Sequence, residues 1–166
     1  MTILKKLFAE GAFCMPYYED FKPGQKFISP SRTITDGMAT VLIDVGGFTA
    51  DQFNDEISAN KTPLGWRAIP GRLVFSLMGG LVERMKLLDT PGPSMLVGAE
   101  KLVWKKPLRV GDTIHLKWEV TEMRKTKNPK WGLVKNRETL IDQNDEEICT
   151  VEITHLFEYK KSKDGK

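Results

Sequence analysis

The chain has 166 residues, 40% of them hydrophobic, with 25 basic and 22 acidic side chains and a formal charge of +3. That length suits one domain with a single core, and so small a charge excess, not gathered into a stripe with interleaved aromatics, excludes a nucleic-acid binder. Two cysteines, Cys14 and Cys149, are too few and too far apart for a disulfide framework or a zinc site, which points to a reducing, cytoplasmic setting.

Residues 1–16 read as an N-terminal extension. Within MTILKKLFAEGAFC, Glu10 and Gly11 interrupt the apolar residues, so the segment lacks the unbroken core of a signal peptide. No membrane contact is expected of the chain. FKPGQKF is a turn and ISPSRTI an extended stretch. Thr35 is placed to cap a helix from Asp36 to Val45, where Met38, Val41, Leu42 and Val45 recur at spacings of three and four and form one buried stripe. Gly46 and Gly47 stop it. A second short helix begins near Asp55, which can cap EISANK, and Thr62-Pro63 ends it.

GRLVFSLMGGLVERMKLL follows. It is apolar nearly all round over its first three turns, which predicts a helix enclosed by other structure. Gly79 and Gly80 each cost about 1 kcal/mol relative to Ala in a helix interior, so close approach of another backbone is the use expected of them. After DTPGPS the period changes to two. MLVGAEKLVWKKPL, DTIHLKWEVTEMR, WGLVKNRETLID and EEICTVEITHLFEYK are four strand candidates, separated by RVGD, KTKNPK and QND. In the second, Ile114, Leu116, Trp118 and Val120 face one way and Thr113, His115, Lys117 and Glu119 the other, the pattern of an antiparallel sheet with one wetter face. Helices followed by strands make an α+β fold, with the sheet curved around the long apolar helix. The domain is expected over 17–159, and residues 160–166 form a charged flexible tail.

The order of pieces resembles the MaoC-like branch of the hotdog fold, which includes (R)-specific enoyl-CoA hydratases and related acyl-thioester dehydratases. The resemblance covers roughly residues 17–158 and rests on YYEDFKPGQKF, SRTITDG, KTPLGWRAIPGRLVFSL, KPLRVGDTIHLKWEV and RETLIDQNDEEICTVEI. It implies that the sheet wraps the apolar helix, that two protomers join their sheets edge to edge, and that the acyl-thioester site lies between them.

Two departures from the family pattern matter. Where the family opens its central helix with a small apolar residue, His and Gly, this chain has Ile69-Pro70-Gly71. The N–H groups and positive dipole of that helix end suit a thioester carbonyl on which negative charge develops. Gly71 permits close approach, and Pro70 leaves no N–H unsatisfied. Upstream, the hydratase motif G-D-x-N-P-x-H falls without gaps on GFTADQF. Phe48 then stands at the Asp position, Ala50 at the Asn position and Phe53 at the His position, and a phenyl ring is no general acid or base. Shifting three residues brings Asp51 and Glu56 to the Asp and His positions, at the expense of an insertion and a compensating deletion. The ordinary roles of these two are solvated loop and helix-start residues, and Asp55 is an N-cap.

The substrate-binding set expected from the resemblance is Phe48, Phe53, Pro70, Gly71, Arg72 and Ser76. The Ser76 hydroxyl could line a tunnel or bond back to a helix carbonyl. Arg67, Arg72, Lys105 and Lys106 could meet coenzyme A phosphates, although charges at loop and strand ends are usually just solvated. His115 falls on a polar face, and His155 shares a face with Val151, Ile153 and Phe157, as a core or interface histidine would. No P-loop, dinucleotide fingerprint, metal-ligand cluster or nucleophile elbow is present. The resemblance implies a coenzyme A or carrier-borne thioester as substrate or ligand, with no other cofactor and no metal expected. Three functions remain open: a hydratase or dehydratase acting on trans-2-enoyl-CoA, a non-catalytic acyl-CoA-binding subunit, and a thioesterase-like enzyme. The partner is a second copy of the chain or a related hotdog chain.

Overall fold

The computed structural model describes residues 16–87 and 94–160. A 3-10 turn at Tyr18–Asp20 leads into two short strands, β1 (Lys26–Ile28) and β2 (Arg32–Thr33), then helices α1 (Asp36–Val45), α2 (Asp51–Asn54), α3 (Glu56–Ala59) and α4 (Gly71–Arg84). Four longer strands follow: β3 (Met95–Trp104), β4 (Thr113–Lys125), β5 (Trp131–Ile141) and β6 (Glu147–Glu158). The sheet runs in the order β1-β4-β5-β6-β3, with β2 also paired to β4 and every pairing antiparallel. The α+β architecture expected from the period change is therefore present, and the four long strands coincide with the four alternating segments, β4 running on to Lys125 just past the end of its own.

Capping behaves as the side chains dictate. Thr35 Oγ1 accepts from the Met38 N–H, and the Asp55 carboxylate accepts from the N–H groups of Ile57 and Ser58. The buried side of α1 differs from the expected stripe. Ala39 and Ile43 are buried and Met38 and Leu42 half-buried, while Val41 is 60% and Val45 84% exposed. Apolar residues occupy more than one arc of this helix, so spacing alone cannot select the arc that meets the core. The helix α2 was not expected; it is one turn long, braced by the Asn54 amide, which donates to the carbonyls of Phe48 and Ala50.

The central helix α4 is shorter than its apolar run and covered on one side only. Val74, Leu77, Met78, Leu81 and Val82 pack into the core, while Arg72, Ser76, Gly79, Gly80 and Glu83 are exposed. Enclosure all round is thus corrected: among the described residues the sheet and loops cover one face. Nor, among the described residues, does another backbone approach Gly79 or Gly80: a Cβ on either would meet none of their atoms within 4 Å.

Against the buried face of α4 lie Ile114, Leu116, Trp118 and Val120 of β4, as the alternation foretold. Register carries the same side of the sheet across to β5 and β6: Leu116 opposes Leu140 and then Cys149, and Trp118 opposes Glu138 and then Val151. At one end the Tyr18 ring extends this same helix-facing side, lying against Gly132 and meeting Tyr159 edge-to-face at 5.0 Å. Lys160 ties this corner together, pairing through Nζ with Asp20 and donating its backbone N–H to Glu19.

Candidate functional site

The start of α4 is fixed by the strands around it. Ala68 bridges Arg109, and the Ile69 N–H donates to the Leu108 carbonyl at 2.8 Å, so Ala68, Ile69 and Pro70 are buried. Pro70 sits at the N-cap rather than within the helix, and its carbonyl accepts from the N–H groups of Leu73 and Val74 at 2.9 and 3.1 Å. The N–H groups of Gly71 and Arg72 find no acceptor among the described residues. Two donors thus project from the positive end of a helix of 14 residues. Gly71 does permit a close approach, but within this chain the group that approaches is Trp104. Its indole N–H donates to the Gly71 carbonyl at 2.9 Å, and a Cβ on Gly71 would lie 3.1 Å from that nitrogen.

Phe48 and Phe53 are half-buried and meet edge-to-face, with ring centroids 6.4 Å apart. Gly46 makes room for the first ring, since a Cβ there would lie 2.8 Å from two Phe48 ring carbons. An apolar pair therefore occupies the positions where the family resemblance expects an acid and a base. Asp51 and Glu56 are both exposed, and neither forms an ion pair or side-chain hydrogen bond among the described residues. Asp55 is the cap of α3; the Ser58 hydroxyl and the N–H groups it receives hold its carboxyl below the usual range.

The basic candidates are mostly engaged. Arg67 is 13% exposed at its side chain and paired with Asp36, which removes it from phosphate binding. Lys105 pairs with Glu147, and Lys106 with both Asp142 and Glu146, whose carboxylates raise its ammonium pKa. Arg72 and Ser76 remain on the open face of α4. An open cleft of about 400 Å³ is lined by Trp66, Lys106, Arg109, Asp112 and Asp142 among others and does not include a residue of α4. Its polar groups are already engaged: Arg109 lies over the Trp66 ring at 5.7 Å, and Asp112 accepts from the Arg109 backbone N–H and the Gln143 amide.

A polar cluster under α4 went unread in the sequence. Asn136 and Glu138 of β5 share the helix-facing side with Leu140, and His155 of β6 joins them. The Asn136 amide donates to Glu138 Oε1 at 3.1 Å, so its own oxygen faces His155 Nδ1 at 3.2 Å and that ring nitrogen carries the proton. Burial pushes the Glu138 carboxyl up to about 7, opposed by Asn136 and the nearby Trp118 indole, and pushes the His155 imidazole down to about 4. The Trp118 N–H favours the carboxylate electrostatically but has no acceptor in hydrogen-bond geometry. His155 is thus the core histidine its face implied. Glu138 escaped notice because Leu133 and Ile141 on the opposite side of β5 are also apolar, which blurs the strand's phase. Among the described residues no helix is long and apolar enough to cross a membrane.

With the geometry in place, comparison with known proteins assigns the family. Residues 41–151 match the model of the FAS1-like, dehydratase domain region. Over 115 residues the chain is 28% identical to the protein MaoC of Klebsiella aerogenes, covering 66% of this chain but only 31% of that relative's length. A monoamine oxidase regulatory protein from Archaeoglobus superposes with a TM-score of 0.81 at 24% identity, covering 90% of this chain and 99% of the other. An (R)-hydratase from A. caviae involved in PHA biosynthesis superposes with a TM-score of 0.68 at 22% identity, covering 82% and 97%. At these identities the superpositions establish the fold alone. Two unpaired helix-start donors beside a sheet of this topology, and a family match over most of the chain, lead to one assignment: the protein belongs to the FAS1-like, MaoC-like dehydratase family and has the hotdog fold.

Proposed function

We propose that the chain binds an acyl thioester, carried by coenzyme A or by a carrier protein, with the thioester carbonyl at the start of α4. The observation that carries this reading is the pair of unengaged N–H groups on Gly71 and Arg72, which a carbonyl oxygen gaining negative charge would satisfy. Ser76 and Arg72 on the exposed face of α4 border the same region, and Phe48 and Phe53 offer an apolar surface for the acyl chain.

The same phenyl pair argues that this chain does not itself supply the acid and base of hydration. We therefore read it as the binding half of a hydratase or dehydratase of trans-2-enoyl thioesters, completed by a partner. Among the described residues β3 ends the sheet with one edge unpaired, and Met95, Leu96, Val97 and Val103 are exposed along it. An apolar free edge of this length favours pairing with the equivalent edge of a second copy or of a related hotdog chain.

The test is thermal unfolding of the purified chain with and without crotonyl-CoA, alongside loss of the enoyl-thioester ultraviolet absorbance. A rise in melting temperature without hydration supports the reading. Hydration abolished by D51A/E56A would give the catalytic role to Asp51 and Glu56 instead, and no ligand-dependent shift would refute thioester binding. Release of free thiol would mean a thioesterase.

A further inference from the structure

We propose that Trp104 is a positioning residue for the thioester carbonyl; this rests on the reading of the α4 start given above. Trp104 lies on the edge strand β3, opposite Cys149 of β6, and its indole reaches across to the first residue of α4. There its N–H donates to the Gly71 carbonyl at 2.9 Å.

The Gly71 carbonyl and the Arg72 N–H belong to one peptide unit, and no peptide bond among the described residues is cis. In a trans peptide the two groups point in opposite directions. Holding the carbonyl therefore aims the Arg72 N–H, one of the two donors left without an acceptor. An added hydrogen bond to the carbonyl also polarises the unit and strengthens its N–H as a donor. Glycine at 71 is what lets the indole seat, because a Cβ would lie 3.1 Å from Trp104 Nε1 and 3.2 Å from Cε2. The ring is still 45% exposed. A flat apolar surface is left beside the donors, where the atoms flanking a bound thioester would pass.

The experiment uses butyryl-CoA labelled with ¹³C at the thioester carbonyl, a ligand with no double bond to hydrate, and the full chain as wild type, W104F and G71A. Calorimetry gives affinity, difference infrared spectroscopy gives the carbonyl stretch, and thermal unfolding checks that each variant folds. W104F removes the N–H and keeps a smaller flat apolar ring. It is expected to weaken binding roughly three- to tenfold, the range of one modest hydrogen bond, and to move the carbonyl band back toward its frequency in water. G71A, whose Cβ would press on the indole at 3.1 Å and loosen its bond to the carbonyl, is expected to act in the same direction, and it carries the test should W104F not fold. A band lowered equally in wild type and both variants would overturn the role of Trp104 while leaving the site intact. A wild-type chain that does not bind, or that leaves the carbonyl band unmoved, would overturn the site and Trp104's role with it.

Discussion

Replacing Glu138 by Gln tests the buried polar cluster directly. Glu138 is 3% exposed, its one clear hydrogen bond is from the Asn136 amide, and burial raises its carboxyl from 4.5 to about 7. Below 4.5 both folded and unfolded chains keep the proton, so the side chain carries no ionisation penalty; stability is then lost as pH rises through the folded value of about 7. At about 1.4 kcal/mol per pH unit, the full loss is about 3 kcal/mol. His155 works the other way. Its imidazole is held down at about 4 against 6.5, so its contribution is present above 6.5 and disappears as pH falls through about 4. The two windows overlap from 4.5 to 6.5, where the trends oppose each other, and the wild-type profile alone will not separate them. The difference between E138Q and wild type isolates Glu138, since Gln keeps the shape and can still accept from Asn136. Urea unfolding at about pH 5 and about pH 8 should show E138Q gaining about 2–3 kcal/mol on wild type between the two conditions. An equal difference at both would refute a carboxyl that ionises inside the folded core.

Three further outcomes are expected. G132A would place a Cβ inside 3.0 Å of three Tyr18 ring atoms, lowering stability by about 1–3 kcal/mol and the melting temperature by about 3–10 °C. In a Y18A background the same change should be neutral or slightly stabilising, because a strand glycine loses more chain entropy on folding; an equal loss in both backgrounds would place the clash elsewhere. D55A removes the acceptor for the Ile57 and Ser58 N–H groups and should lower the urea midpoint, with D55N retaining most of the stability; equal losses by chemical denaturation would implicate the charge and not the cap. Burial pushes the Cys149 thiol up to about 11, so in a C14S chain Ellman's reagent should label it only as the protein unfolds. Stoichiometric labelling of the native chain within minutes would contradict its burial.

Local chemistry made much of this fold legible. A capping Thr35, a capping Asp55 and the alternation along β4 depend on residues a few positions apart, so the sequence could place them. The helix opening at Pro70-Gly71 and the phenyl pair at Phe48 and Phe53 were legible in the same way, as short stretches set against a family pattern. Long-range packing decided the rest. Only the assembled sheet determines that Ile43 and not Val45 turns inward, that α4 keeps one open face, and that Arg67 and Lys106 are spent on ion pairs with Asp36 and with Asp142 and Glu146. The seat of Trp104 on Gly71 joins residues 33 positions apart, and the burial of Glu138 follows from register across β4, β5 and β6. Periodicity reports which residues share a face, but the partner that covers the face lies far along the chain. Its identity enters the energy only when the strands pair.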